Sequence, residues 1–298
     1  MSVQPRRPGP APLGDGDRLR FGYGTNGMAD HRLGEALALL ADAGYDGVAL
    51  TLDHAHLDPL APNLQTRARE VGRSLQRLGL AVVVETGGRF VLDPRRKHEP
   101  TLLSDEGRER RLDLLRRAVL VGAELGARAV SFWSGALPPG TDPGTAWDRL
   151  VAGCEQVLTT ADRYEVTLGF EPEPGMLVDR LDRFDELAAA LGHPPRFGLT
   201  LDIGHCRCLE DEPVPDCVRR AGGRLVNVQI EDMRRGVHEH LEFGAGEIDF
   251  PPVLAALRGV RYSGLVSVEL PRHSHAAHAL VPRSLEFLRA AERAGTAA

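Results

Sequence analysis

An α/β fold, a (β/α)8 TIM barrel in a single domain, is what the sequence predicts, and three observations predict it. Eight short apolar runs alternate with eight longer amphipathic ones over about 275 residues, near the usual size of a closed eight-unit barrel. No shift in composition divides the chain into halves. No GxGxxG or GxxxxGK[ST] follows the first run, so an open doubly wound sheet would lack its usual phosphate loop.

The elements follow in order. RFGYGTN (20–26) reads as the first strand, and 31–44 as a helix, with apolar residues at helical spacing and Gly44 as its stop. GVALTLD (47–53) and LAVVVETG (80–87) are strands on either side of a helix over 63–79. A long polar loop leads to a helix over 106–126, then to a strand ARAVSFWSG (127–135) and a helix over 144–164. VTLGFEPE (166–173) is the fifth strand, followed by a helix over 180–192. FGLTLDIGH (197–205) is the sixth, followed by a short helix over 213–222. RLVNVQIED (224–232), a loop and a helix over 250–259 form the seventh unit. GLVSVEL (264–270) and a helix over 278–295 complete the eighth. Short apolar strands between helices indicate a parallel sheet covered by helices. Residues 1–17, rich in Pro and Gly, read as a disordered arm, and 18–298 as the barrel.

Composition narrows the function. The 298 residues are 42% hydrophobic and 26% charged, enough apolar material for a large core without disulfides. The net charge of -6 lacks the broad basic field that clamps nucleic acid, so no nucleic-acid partner is expected. Lys97 is the single lysine; it lies in a polar loop, PRRKHEP, and no predicted strand holds a Schiff-base nucleophile. Cys154, Cys206, Cys208 and Cys217 include no CxxC pair and read as reduced packing residues. With no apolar leader and no run of about 18 apolar residues, the chain reads as cytoplasmic with no membrane partner.

Chemistry in such a barrel belongs at the C-terminal ends of the strands. There the sequence places Glu85, Glu171, Glu173, Asp202, His205, Gln229, Glu231, Asp232 and Glu269, interrupting otherwise apolar runs. Any one of these acids reads equally well as a strand-end residue that caps the next helix. Together, on successive strands, they read as a cluster, and a divalent cation is the simplest offset to their mutual repulsion. Glu231 reads as solvated and Asp232 as orienting an arginine. Trp133 and Phe132 are candidates for stacking on a sugar face, or for packing. After strand seven, MRRGVHEHLEFGAGEIDF holds two histidines at i and i+2, able to share one face of an extended segment. His238 reads as solvated, and His240 as functional.

At these residues the chain resembles the xylose isomerase-like TIM-barrel superfamily, which includes sugar-phosphate isomerases and epimerases, ketose 3-epimerases, inosose dehydratases and endonuclease IV nucleases. The resemblance covers about residues 19–292 and is carried by the ordered series LGFEPEPG, TLDIGHC, NVQIEDM, HLEFGAGEIDFPPVLAAL and GLVSVEL. It implies that Glu171, Asp202 and Glu269 are metal-binding carboxylates. The strand-seven ligand of many members is a histidine in V-H-[IV]-K-D; here Gln229 stands there, in V-Q-I-E-D. It also implies that His205, Arg235 or Arg234, and His240 contact substrate. The histidines that the nuclease branch needs at the third and fourth strand ends are missing from ETGG and FWSG.

The implied activity is a metal-dependent sugar or cyclitol isomerase or epimerase working by proton transfer next to a carbonyl. Glu171 and Glu269 would be the acid–base pair, His205 the hydroxyl contact, and Trp133 part of the substrate surface. The metal would be one divalent ion, Mn²⁺ or Mg²⁺, with Zn²⁺ or Co²⁺ as alternatives, held by Glu171, Asp202, Gln229 and Glu269. A lyase or dehydratase on a keto-sugar or inosose, using the same base and metal, is the alternative; a non-catalytic ligand-binding barrel is a third. Members often form dimers or tetramers, which implies a homo-oligomer.

Overall fold

The computed structural model describes residues 18–295. The arm expected over residues 1–17 lies outside the described residues. Eight parallel strands close into a barrel: β1 (Arg20–Gly24), β2 (Gly47–Thr51), β3 (Ala81–Glu85), β4 (Val130–Phe132), β5 (Leu168–Phe170), β6 (Phe197–Asp202), β7 (Leu225–Ile230) and β10 (Leu265–Val268). Pairing of β1 with β10, Phe21 beside Val266 and Gly22 beside Ser267, closes the ring. Helices α1 (Leu33–Ala43), α2 (Leu64–Leu78), α3 (Arg108–Leu125), α4 (Pro143–Tyr164), α5 (Leu181–Ala190), α7 (Val214–Ala221), α8 (Phe250–Gly259) and α9 (Ala277–Ala294) form the outer layer. Helix α1 stops where expected, at Gly44, whose φ of 91° suits a residue without a Cβ.

Period-two alternation divides the apolar residues into two cores. Outward residues such as Phe21, Val84, Phe132, Phe170 and Val268 pack against the helices in one continuous ring. Each such side chain contributes about 1.5–3 kcal/mol on full burial. A small plug of Val83, Ala129 and Leu265, with Ala81 and Val226, fills the barrel interior. Val226 reaches it because β7 carries an extra residue there: Leu199 pairs with Leu225, but Thr200 pairs with Asn227. Glycines make the room, since a Cβ on Gly198 would lie 2.4 Å from Val226 Cγ1.

The first strand ends at Gly24, two residues earlier than expected, and Thr25–Met28 form a 3₁₀ turn; two further elements also differ from the sequence expectation. The sixth strand ends at Asp202, and Ile203–Leu209 turn at once into a short helix, α6. The cause is the Asp202 carboxylate, which accepts a hydrogen bond from the His205 amide at 2.8 Å and caps that helix. The loop after β7 is a hairpin, β8 (Asp232–Arg234) with β9 (Val237–Leu241), turning through Gly236.

Candidate active site

The pocket opens at the C-terminal ends of the strands and has a volume of about 360 Å³, within the range of small-ligand sites. Above the apolar plug the interior turns polar. Asn227 donates to Glu85 across the barrel at 2.9 Å, and the Ser131 and Thr200 hydroxyls meet at 2.9 Å. Glu171, just past β5, Asp202 at the end of β6, Gln229 on β7 and Glu269 just past β10 surround the space above this layer. All but Glu269, which is half-buried, are buried. A one-turn 3₁₀ segment after β1 (Thr25–Met28) brings in Asn26, whose amide donates to Glu269 Oε1 at 2.7 Å.

His205 rides on the first turn of α6. Its Nδ1 lies 3.2 Å from the Pro172 carbonyl, which accepts only from a protonated nitrogen, so the proton is assigned to Nδ1. Its Nε2 then faces His238 Nε2 at 3.1 Å and Asp202 Oδ2 at 3.7 Å. Burial pushes His205 down to about 4. His238 is pushed down to about 3 by burial and by the neighbouring His205 and His240. Burial, and then the charge of Glu269, raises Glu171 well above the carboxylate range. Glu173 is pushed up to about 7 by the same two causes. Burial would raise Asp202 as well, but His205 and His240 outweigh it and hold it low.

The residues fit a divalent cation. Asp202 Oδ2, Gln229 Oε1, both Glu231 oxygens and His240 Nδ1 are buried with no hydrogen-bond partner among the described residues. Uncompensated buried anions are expensive, and a cation in their midst removes that penalty. Ligand atoms of Glu171, Asp202 and His205 lie within 4.8 Å of one another, as do those of Asp202, Glu231, His240 and Glu269, and those of His205, His238 and His240.

The structure brings together Glu171, Asp202, His205, Gln229, His240, Glu269 and Trp133. Trp133 is buried beneath Arg111, with the guanidinium 4.9 Å from the ring centre. Arg234 and Arg235 do not join them: Arg234 donates to the Ala245 carbonyl, and Arg235 is held by the Glu210 carbonyl and Asp211. Phe132 turns outward against Phe170. Among the described residues Asp232 orients no arginine; it accepts backbone amides of Met233, Gly244, Gly246 and Ile248 at 2.9–3.1 Å. Glu231 is not solvated: it is 0% exposed. His238 joins the pocket rather than solvent.

Sequence reasoning missed Asn26, Arg89 and Arg272 among the residues lining the pocket, and it read Lys97, which also lines it, only as a loop lysine. Asn26 carried a signal, a polar residue at the end of the first strand. Arg89 and Arg272 sit on irregular loops and carried none.

A family model described as a xylose isomerase-like TIM barrel matches residues 37–291. The L-ribulose-5-phosphate 3-epimerase UlaE of Shigella flexneri serotype 5b is 25% identical over 241 residues, covering 79% of this chain and 81% of that protein. A solved L-ribulose 3-epimerase superposes with a TM-score of 0.73 at 21% identity, covering 94% of this chain and 97% of that one. A D-allulose 3-epimerase from Methylomonas sp. gives 0.73 at 19% identity, covering 92% and 98%.

Proposed function

The chain belongs to the xylose isomerase-like TIM-barrel family, and from that premise we propose that it is a sugar isomerase or epimerase that moves a proton at a carbon beside a carbonyl. The observation that carries this reading is the pair Glu171 and Glu269, presented to one pocket from β5 and β10 with β6 and β7 between them. Two carboxyls reaching a substrate from different sides are what epimerisation requires: one removes a proton and the other returns it to the opposite face. The epimerase activities of the relatives are in keeping with this.

Asp202 and Glu269, with Glu171 beside them, would hold a divalent ion. When bound, the ion would polarise the substrate carbonyl and stabilise negative charge developing on the substrate oxygens. Asn26 orients Glu269 through its 2.7 Å hydrogen bond, which fixes where that carboxyl meets substrate. His205, with its proton toward Pro172, would offer Nε2 to a substrate hydroxyl that displaces His238 from it. Trp133 forms an apolar wall on which a sugar face would stack.

Proton exchange from deuterated water, followed over a panel of keto-sugars and keto-cyclitols with Mn²⁺ present, tests the reading. Wild-type protein should exchange one substrate carbon-bound proton. Glu171→Gln should reduce exchange by about 10²-fold or more while leaving a folded barrel. Near-normal exchange in that variant would sink the assignment.

A further inference from the structure

We propose that Glu231, rather than Gln229, supplies the β7-side ligand of the divalent site, in a set completed by Asp202, His240 and Glu269. The inference rests on the function proposed for this pocket, that it holds a divalent ion.

Residues 229 and 231 lie two apart: Gln229 lines the pocket, and Glu231, just past β7, is fully buried beside it under α6. Their chemistry differs. Gln229 presents a neutral amide oxygen, whereas Glu231 is an acid with 0% exposure whose carboxyl faces a second acid, Asp202, and the imidazole of His240. An ionised carboxylate in that position needs a counter-charge, which a cation would supply. Its surroundings have the geometry of a ligand shell. The ligand atoms of Asp202, Glu231, His240 and Glu269 all lie within 4.8 Å of one another. His240 Nδ1 is 3.6 Å from Glu231 Oε1 and has no hydrogen-bond partner of its own; Asp202 Oδ2 also lacks one.

The local fold is built around this carboxyl. A Cβ on Gly204, in the first turn of α6, would lie 2.0 Å from Glu231 Oε1, so the missing side chain makes the space that the carboxyl fills. The β8–β9 hairpin sets Asp232 opposite Leu241, which brings His240 back beside Glu231. Three carboxylates and one imidazole form a mostly hard donor set, suited to Mn²⁺ and acceptable to Co²⁺ or Zn²⁺.

The test is titration of chelator-treated, full-length protein with Mn²⁺ alone by calorimetry, together with thermal unfolding with and without the ion. Wild-type protein should bind Mn²⁺, Glu231→Gln should bind at least about tenfold more weakly, and Gln229→Ala should change affinity by less than about threefold. Glu231→Gln keeps the shape and leaves a group that cannot ionise to hold the ion. Its metal-free melting temperature should therefore equal or exceed that of wild type, and the rise that Mn²⁺ gives wild type should shrink. That pairing reports on the ligand and not on loss of fold. Wild-type affinity in Glu231→Gln overturns the proposal, as does a loss in Gln229→Ala equal to or greater than that in Glu231→Gln. Absence of Mn²⁺ binding in wild type removes the metal reading itself, and this inference with it.

Discussion

At the scale of single residues, the site depends as much on a missing side chain as on the charged ones. Gly204 stands in α6, where alanine is the better helix former by about 1 kcal/mol. Any loss from Gly204→Ala must therefore come from the contact that its Cβ makes with Glu231 Oε1 and with Met233 Cε, 2.7 Å away. We expect Gly204→Ala to keep its helical circular dichroism and to lower Mn²⁺ affinity by about tenfold, the equivalent of roughly 1.4 kcal/mol. Unchanged affinity in calorimetry would show that Glu231 has no part in holding the ion. The acids legible in the sequence were Glu171, Asp202 and Glu269, because acids ending several successive apolar strands read together as one cluster even though each alone has a structural explanation. Glu231 was not legible. An acid beside a second acid just past a strand looks solvated until the hairpin is folded over it.

At the scale of elements, the β8–β9 hairpin carries His238 and His240 into the pocket. It was hidden in the sequence because its strands are three and five residues long and rich in charge. The same holds for α6, although Asp202 followed by the His205 amide is an N-cap pattern that was available to be read. Asp232 fixes the turn beyond the hairpin. Its buried carboxylate gathers the amides of Gly244, Gly246 and Ile248, so an aspartate at one end of the hairpin organises a Gly-rich turn at the other. Asp232→Ala leaves four donors without their acceptor, the Met233 amide among them, and should destabilise the protein by about 1–3 kcal/mol. Hydrogen exchange should localise the damage: the amides of Gly244, Gly246 and Ile248 should lose protection while those of β3 keep theirs. Protection unchanged at all three amides would mean that other contacts hold the turn.

At the scale of the whole molecule, the barrel was legible because eight repeats of one pattern leave few other solutions. The polar floor of the barrel was less so, since the bulge in β7 brings both Val226 and Asn227 to the interior and no sequence pattern marks it. That floor makes stability depend on pH when metal is removed. Glu85 is 6% exposed and is pushed up to about 8, first by burial and then by the charge of Glu269. In the unfolded chain it ionises near the ordinary carboxylate value. Between the two values the unfolded chain gives up a proton that the folded barrel keeps, so ionisation favours unfolding. The stability that protonated Glu85 contributes is therefore fully present below about pH 4.5 and is lost as pH rises through about 8. Glu171, Glu231 and Glu269 are raised as well, burial being the first cause in each, and they add in the same direction. In chelator-treated protein the urea midpoint should fall between about pH 5 and about pH 8. Glu85→Gln should reduce that fall, because glutamine's carbonyl can still accept from Asn227 but has no proton to lose. Added Mn²⁺ should reduce it in wild type, since a cation at the mouth opposes the repulsion that keeps these carboxyls neutral. An equal fall in wild type and Glu85→Gln would mean that the buried floor does not set the pH dependence of the fold.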